Sequence, residues 1–339
     1  MSAHRQGSVL IFSLWVLALL TMFAVSIGLS VRQRATLFSR IENRSQLRWI
    51  AEAGIKKAIG ALKEDWKRNN GRLTAEGKQY LYNNPDRFKS VGIGAGIFNV
   101  FNESKSHALE QQRFYGVVDE ERKLNINTAS LEELVNLFQR NTPLDVPSSQ
   151  ALAEAIADWR QAGESKFTGY YSDDFYLNLE YPFEPKDAQF EMIDELILIR
   201  GMTAALLEQL QPFITIYGQG QVNVNTAPRE VFSALGLNDS VIEKILEVRR
   251  GPDGEENTFD DYIFYKTYDI VSEMLKFVKL EVDEIKEIDR LNSLAKFTTV
   301  SSVYSIQSQA ILNEKKQDFV TEAVFDLTEN RILYWREKF

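Results

Sequence analysis

Residues 8–30, SVLIFSLWVLALLTMFAVSIGLS, contain no charge, and as a helix they measure about 35 Å, enough to cross the hydrocarbon core of a bilayer. A cleaved secretory signal has an apolar part of about 7 to 15 residues that ends in small residues. This run is longer and passes directly into Val31-Arg32-Gln33-Arg34, so the reading is a retained span. Helical spacing continues beyond it. Leu37, Ile41, Leu47, Ile50, Gly54, Ile55, Ile59 and Leu62 recur every three to four residues with no Pro between them. One helix of about 90 Å is therefore expected from Ser8 to about Trp66, half in lipid and half amphipathic in water. A coiled-coil stalk is the other reading of the wet half. Charge counting does not orient the span, because Arg5 precedes it while Arg32, Arg34 and Arg40 follow it.

The chain of 339 residues is too long for one typical core, and 44% hydrophobic with 26% charged residues is the composition of a folded protein. Its formal charge is −9. Arg5 and Arg32 are the only charges in the first 32 residues, so the rest is the acidic part, a poor match for polyanions. With no Cys there is no disulfide scaffold, thiol catalysis or thiolate metal site, and the two histidines, His4 and His107, leave little room for imidazole chemistry. The segment 71–79 resembles a P-loop, but it spaces its glycines wrongly and has Gln79 where a hydroxyl must hold magnesium. Gly92, Gly94 and Gly96 lead into a strand pattern rather than a helix, which removes a dinucleotide site. Adjacent acids such as Glu132 and Glu133 point apart on a helix. No catalytic residue is assigned, and the chain is read as a non-enzyme.

The body carries an internal repeat, Asn125-Ile126-Asn127-Thr128-Ala129 and Asn223-Val224-Asn225-Thr226-Ala227. Each copy reads as the start of a helix, with Thr128 and Thr226 as expected N-caps and Glu132 and Glu230 in the first turn, where the dipole favours an anion. Helical patterns follow over 151–159, 194–199, 204–210 and 241–249. Alternating β-branched and aromatic runs flank this region over 96–101, 113–118, 297–306, 308–312, 319–327 and 331–335. The economical arrangement is an α+β fold: a long N-terminal transmembrane and amphipathic helix on an antiparallel sheet, with an all-α domain inserted between the strands. The expected divisions are 1–7, 8–30, 31–118, 119–290 (the insertion) and 291–339, whose strands complete the sheet.

Met1 to Gly7 is short and polar, carries His4 and Arg5, and ends in Gly just before the apolar run. It resembles a type IV prepilin leader. In that family a membrane peptidase cuts after the Gly and methylates the new amino terminus, which would place processing at Gly7 and Ser8. The fifth mature position, usually Glu, is Phe12 here. Asp119 to Ala129 resembles the segment "DEeGKiNiNtA". Asp194-Glu195-Leu196 with Ile199-Arg200-Gly201-Met202 resembles "vdELrlvrGm", and 222–227 resembles "vNvNTA". Together these match minor pseudopilin K of the type II secretion system, also called general secretion pathway protein K, which lacks that Glu. The resemblance implies a pilin-like core interrupted by an α-domain of SAM-like or helix-hairpin-helix-like repeats. It also implies a single-pass protein of the bacterial inner membrane with its C-terminal domain in the periplasm. Its partners would be prepilin peptidase, minor pseudopilins I and J and the pseudopilus, whose tip it forms in the export of folded proteins across the outer membrane. Phe12 would govern placement in the filament, and the face of Leu14, Leu17, Thr21 and Val25 would pack on neighbours.

The repeat also resembles the helix-hairpin-helix of a membrane-anchored competence DNA receptor. Such modules hold phosphate on a glycine hairpin aided by basic side chains. Here 137–150 reads LFQRNTPLDVPSSQ, only Gly236 stands in the second hairpin, and residues 119–218 hold 18 acids against 7 bases. No nucleic acid is expected. Calcium fits such an acid excess better, since it takes 6 to 8 oxygens. By resemblance to the family's calcium-associated loop, the candidate ligands are Asp158, Glu164, Asp173, Asp174 and Asp187, although Gln161 and Gly163 replace two acids of that loop.

Overall fold

The structure is a computed structural model describing residues 6–104, 112–161, 174–312 and 315–338. Helix α1 (Gln6–Arg68) is one unbroken rod of 63 residues, about 95 Å long. Its side chains from Val9 to Ile41 are exposed, including every large apolar residue of the span. From Leu47 one face turns inward: Leu47, Ile50, Ala51, Ile55, Ala58, Ala61 and Leu62 are buried, a helical stripe that ends near the C-terminus of α1. Two short helices follow, α2 (Ala75–Tyr82), capped by the Thr74 hydroxyl, and α3 (Pro85–Phe88), capped by Asn84.

Strands β1 (Val91–Ile93) and β2 (Gly96–Val100) form a hairpin. A second small ribbon pairs β3 (Asn102–Ser104) with β4 (Gln112–Phe114), and β5 (Val118–Asp119) then leads out of the sheet into the insertion. The insertion contains two copies of one unit. The first runs β6 (Leu124–Asn125), α4 (Leu131–Asn141), α5 (Val146–Trp159), α6 (Asp174–Leu177), a 3-10 helix (Ile193–Leu198), α7 (Ala204–Leu210) and β7 (Ile214–Thr215). The second runs β8 (Val222–Asn223), α8 (Arg229–Ala234), α9 (Asp239–Arg250), a 3-10 helix (Thr267–Asp269), α10 (Ile270–Met274), α11 (Val282–Ser293) and β9 (Phe297–Thr298). In each copy the first and last strands pair in parallel. The chain returns through β10 (Val303–Leu312), β11 (Lys315–Asp326) and β12 (Arg331–Lys338).

The main sheet is antiparallel in the order β1-β2-β10-β11-β12, with β5 beside the start of β10. Residues before the insertion thus share a sheet with residues after it. Alternate residues of β10 and β11, among them Ile306, Ala310, Phe319, Ala323 and Phe325, pack with Phe98 under the buried stripe of α1. Gly54 brings α1 unusually close, since a Cβ there would stand 2.1 Å from Ser308 Oγ and 3.0 Å from the Phe98 ring. The insertion has its own core around Leu134, Phe138, Ile156, Val231, Phe232 and Ile245.

Local chemistry differs from expectation in three places. The cap of α4 is Ser130, in a reciprocal box with Glu133, while Thr128 turns its hydroxyl back to the Asn125 carbonyl. Helix α8 begins at Pro228 without a side-chain cap, because Thr226 gives its hydroxyl to Asp119. The 194–199 pattern is a 3-10 helix, too short for an α-helical register once Met202 folds back on Ile199.

Candidate assembly surface and its supporting junction

The two asparagines of each repeat act as backbone substitutes. Asn127 gives its Nδ2–H to the Phe190 carbonyl at 3.0 Å and accepts from the Phe190 N–H at 2.8 Å; Asn225 does the same with Phe264, at 2.9 and 2.8 Å. Asn125 and Asn223 each accept the N–H two residues on, at 2.9 and 3.0 Å, which tightens the turn. Arginines close both copies: Arg160 donates to the carbonyls of Ile126 and Ala129, and Arg249 to those of Val224 and Ala227. The correspondence holds for the asparagine acceptors, for the second asparagine's paired bonds and for the arginines, so these residues of the NxNTA segment act as a structural staple.

Helix N-termini in the insertion already face carboxylates. Asp145 caps α5 by accepting from the Ser148 N–H, and Asn238 at α9 donates both its N–H and its Nδ2–H to Glu287, at 3.0 and 2.7 Å. A phosphate approaching either end would meet a like charge. The Gly236 turn is closed by Arg290, which donates to the Leu235 carbonyl.

The insertion is bound to the pilin-like core through buried charge. Asp119 Oδ2 accepts from Asn223, Thr226 and Ser301 at 3.0, 2.6 and 2.7 Å, and Oδ1 from the Glu121 N–H. Burial nevertheless holds its carboxyl above the usual range. Burial pushes Glu120 the same way, but Lys123 and the Thr215 hydroxyl outweigh it and the carboxyl lies low. Lys78 of α2 forms a fully buried ion pair with Asp261, and Arg249 pairs with Glu256. Burial, with Arg249 nearby, depresses the Lys78 ammonium to about 8; Arg249 and Lys78 together hold Glu256 at about 2 against its own burial. Outside this core, Arg336 on β12 pairs with Asp194 at 3.2 Å.

Among the sequence-derived candidates, Gly7 and Ser8 lie inside α1, in line with the span. Phe12 is 71% exposed, and Leu14, Leu17, Thr21 and Val25 line one exposed face, where the Thr21 hydroxyl is taken by the Ala18 carbonyl. His4, His107, Glu164 and Asp173 lie outside the described residues, as does the side chain of Asp174. Asp158 ends α5 near the Tyr176 phenol, and Asp187 holds a positive φ of 48°; both already have partners. No group of three acids or histidines among the described residues converges as a metal site. The described donors alone do not fit calcium. Sequence reasoning missed Asp119, Lys78, Asp261, Arg160 and Arg249. The repeat itself was the available signal, but loops of unequal length between each NxNTA and its arginine hide the correspondence.

The family profile described as type II secretion system (T2SS), protein K, matches residues 98–219. The type II secretion system protein K of Pectobacterium carotovorum subsp. carotovorum is 22% identical over 72% of this chain and 74% of its own. That of Dickeya chrysanthemi is 28% identical over 34% of each. In fold, the chain resembles one from the crystal structure of the GspK-GspI-GspJ complex of the enterotoxigenic Escherichia coli Type 2 Secretion System. The TM-score is 0.64 at 16% identity, over 89% of this chain and 99% of that one. The profile covers β2 through the first repeat, the curated relative extends the similarity over most of the chain, and the fold agrees over 89% of it: residues 98–219 match the type II secretion system protein K family, and the chain as a whole is similar to members of that family.

Proposed function

We propose that this minor pseudopilin is anchored in the inner membrane by residues 8–30, with its sheet and insertion in the periplasm, and that it caps the pseudopilus together with minor pseudopilins I and J. The role is mechanical: subunits added below push folded cargo toward the outer membrane, and no residue does chemistry. One observation carries the reading. A single rigid rod runs from Gln6 to Arg68, naked over its apolar part and clamped to a sheet at the other end, and that sheet bears a bulky insertion. Such a rod packs beside other rods, while the insertion leaves no flat platform for a further subunit above it. Phe12 supports the top position, since it places no carboxylate in hydrocarbon that would need the amino terminus of a preceding subunit. Gly7 and Ser8 are the proposed processing site.

The test is co-expression of the full chain with prepilin peptidase and pseudopilins I and J. The expected product begins at a methylated Ser8 and is isolated with both partners. Gly7→Ala keeps the leader, read as unchanged mass. An amino terminus at Met1 in the presence of active peptidase, or isolation free of both partners, overturns the reading.

A further inference from the structure

We propose that Arg32, Arg34 and Arg40 form a collar on α1 that holds the phosphates of anionic phospholipids in the periplasmic leaflet. This rests on the proposed anchoring of residues 8–30 in the bilayer. Between Ser8 and Ile41 these three arginines are the only charges, and the first acid is Glu42. All three are exposed, and among the described residues none is ion-paired, whereas Arg48 higher on the rod already holds Glu337. No Lys occurs before Lys56, so each cationic side chain next to the span is a guanidinium, whose flat fork takes two phosphate oxygens at once.

Height and direction suit a headgroup layer. The Cα atoms of Arg32, Arg34 and Arg40 stand about 3, 6 and 15 Å beyond Ser30 along the rod. A bilayer measures about 30 Å across its hydrocarbon and about 40–45 Å with headgroups, which leaves a polar zone of about 5–8 Å in each leaflet. Helical side chains lean toward the N-terminus, which in this topology is toward the membrane, so the Arg40 guanidinium reaches down past its own Cα. Leu37, Phe38 and Ile41 between and beside the arginines are 56, 77 and 68% exposed, an apolar filling that suits an interface better than open water. Position around the rod then separates lipid from a protein partner. At about 100° per residue, Arg40 and Arg34 lie about 80° and 200° round from Arg32. A neighbouring rod touches one face, whereas lipid surrounds the helix, and charges spread this far round address the lipid. Their side of the membrane is the one that the positive-inside bias disfavours, so orienting the span is not their role.

The test is native mass spectrometry of the full chain released from detergent micelles doped with equal amounts of phosphatidylglycerol and phosphatidylcholine. Wild type should retain phosphatidylglycerol in preference. Each arginine changed to Gln should lower that preference about fivefold, and Arg32→Gln, Arg34→Gln and Arg40→Gln together about a hundredfold. Lys56→Gln, Lys57→Gln and Lys67→Gln together remove the same charge from exposed positions about 39 Å or more beyond Ser30, and should leave the preference unchanged. Equal retention of the two lipids by wild type, or the same loss in the lysine variant, overturns the proposal. So does a triple arginine variant that keeps its lipid but no longer isolates with pseudopilins I and J, which would assign the collar to an acidic protein surface. Alkaline carbonate extraction of membranes reads the anchor separately. A wild-type chain that washes out overturns the anchored reading itself, while one that stays embedded without the lipid preference overturns the collar alone.

Discussion

Lys78 and Asp261 are both almost wholly out of water, and each belongs to a different unit: Lys78 to α2 of the pilin-like core, Asp261 to the loop after α9. Asp261 is also held by donors from Asn257 and Thr258, so removing the ammonium leaves a carboxylate that is partly satisfied but uncompensated in charge. Lys78→Met should cost about 3 kcal/mol in chemical denaturation of the full chain, and Lys78→Met with Asp261→Leu should recover most of it, since breaking a buried pair costs more than replacing it. A double variant no more stable than the single would show that the pair does more than neutralise itself. Asn127 and Asn225 illustrate a different residue-scale economy, in which one side-chain amide supplies both halves of a missing ladder rung.

At the level of elements, the contact that sets the geometry is α1 on β10. Gly54 allows it because Ser308 stands where a methyl would be. Gly54→Ala would normally favour a helix by about 1 kcal/mol, yet overpacking against the sheet should reverse that and destabilise by about 1–3 kcal/mol. Ser308→Gly opens the space. A double-variant cycle should therefore show Gly54→Ala becoming neutral or favourable in the Ser308→Gly background, with coupling above 1 kcal/mol. Additive effects would mean that the rod has room to shift on its sheet. The same packing explains why the buried stripe begins only at Leu47: below it, among the described residues, the side chains of the rod are exposed.

For the molecule as a whole, the rod, sheet and insertion are joined at several points. Arg48 of α1 pairs with Glu337 of β12, Arg336 of the same strand reaches Asp194 in the insertion, and the acids 119–121 close the other side. Rod, sheet and insertion are thus tied by several side-chain links. The segment after α5 is the remaining element of this scale. Were a hard cation held by Asp158 with Glu164, Asp173, Asp174 and Asp187, the melting temperature of the full chain in calcium would exceed that in chelator by the equivalent of about 2.7 kcal/mol at a hundredfold excess over Kd. Identical melts would remove calcium from the structure.

The rod was legible from local pattern, because 23 uncharged residues followed by an apolar repeat at helical spacing can satisfy their backbone groups only as a helix. The duplicated NxNTA units and the flanking strands were legible for the same reason: period and turn chemistry act over a few residues. What needed the fold were interactions between residues distant in sequence: the arginines that close each repeat from more than twenty residues away, Thr226 drawn from its helix to Asp119, and the Lys78–Asp261 pair. None of these depends on its sequence neighbours. Which donors and charges meet is decided by how the packed chain excludes water, and only the tertiary structure sets that.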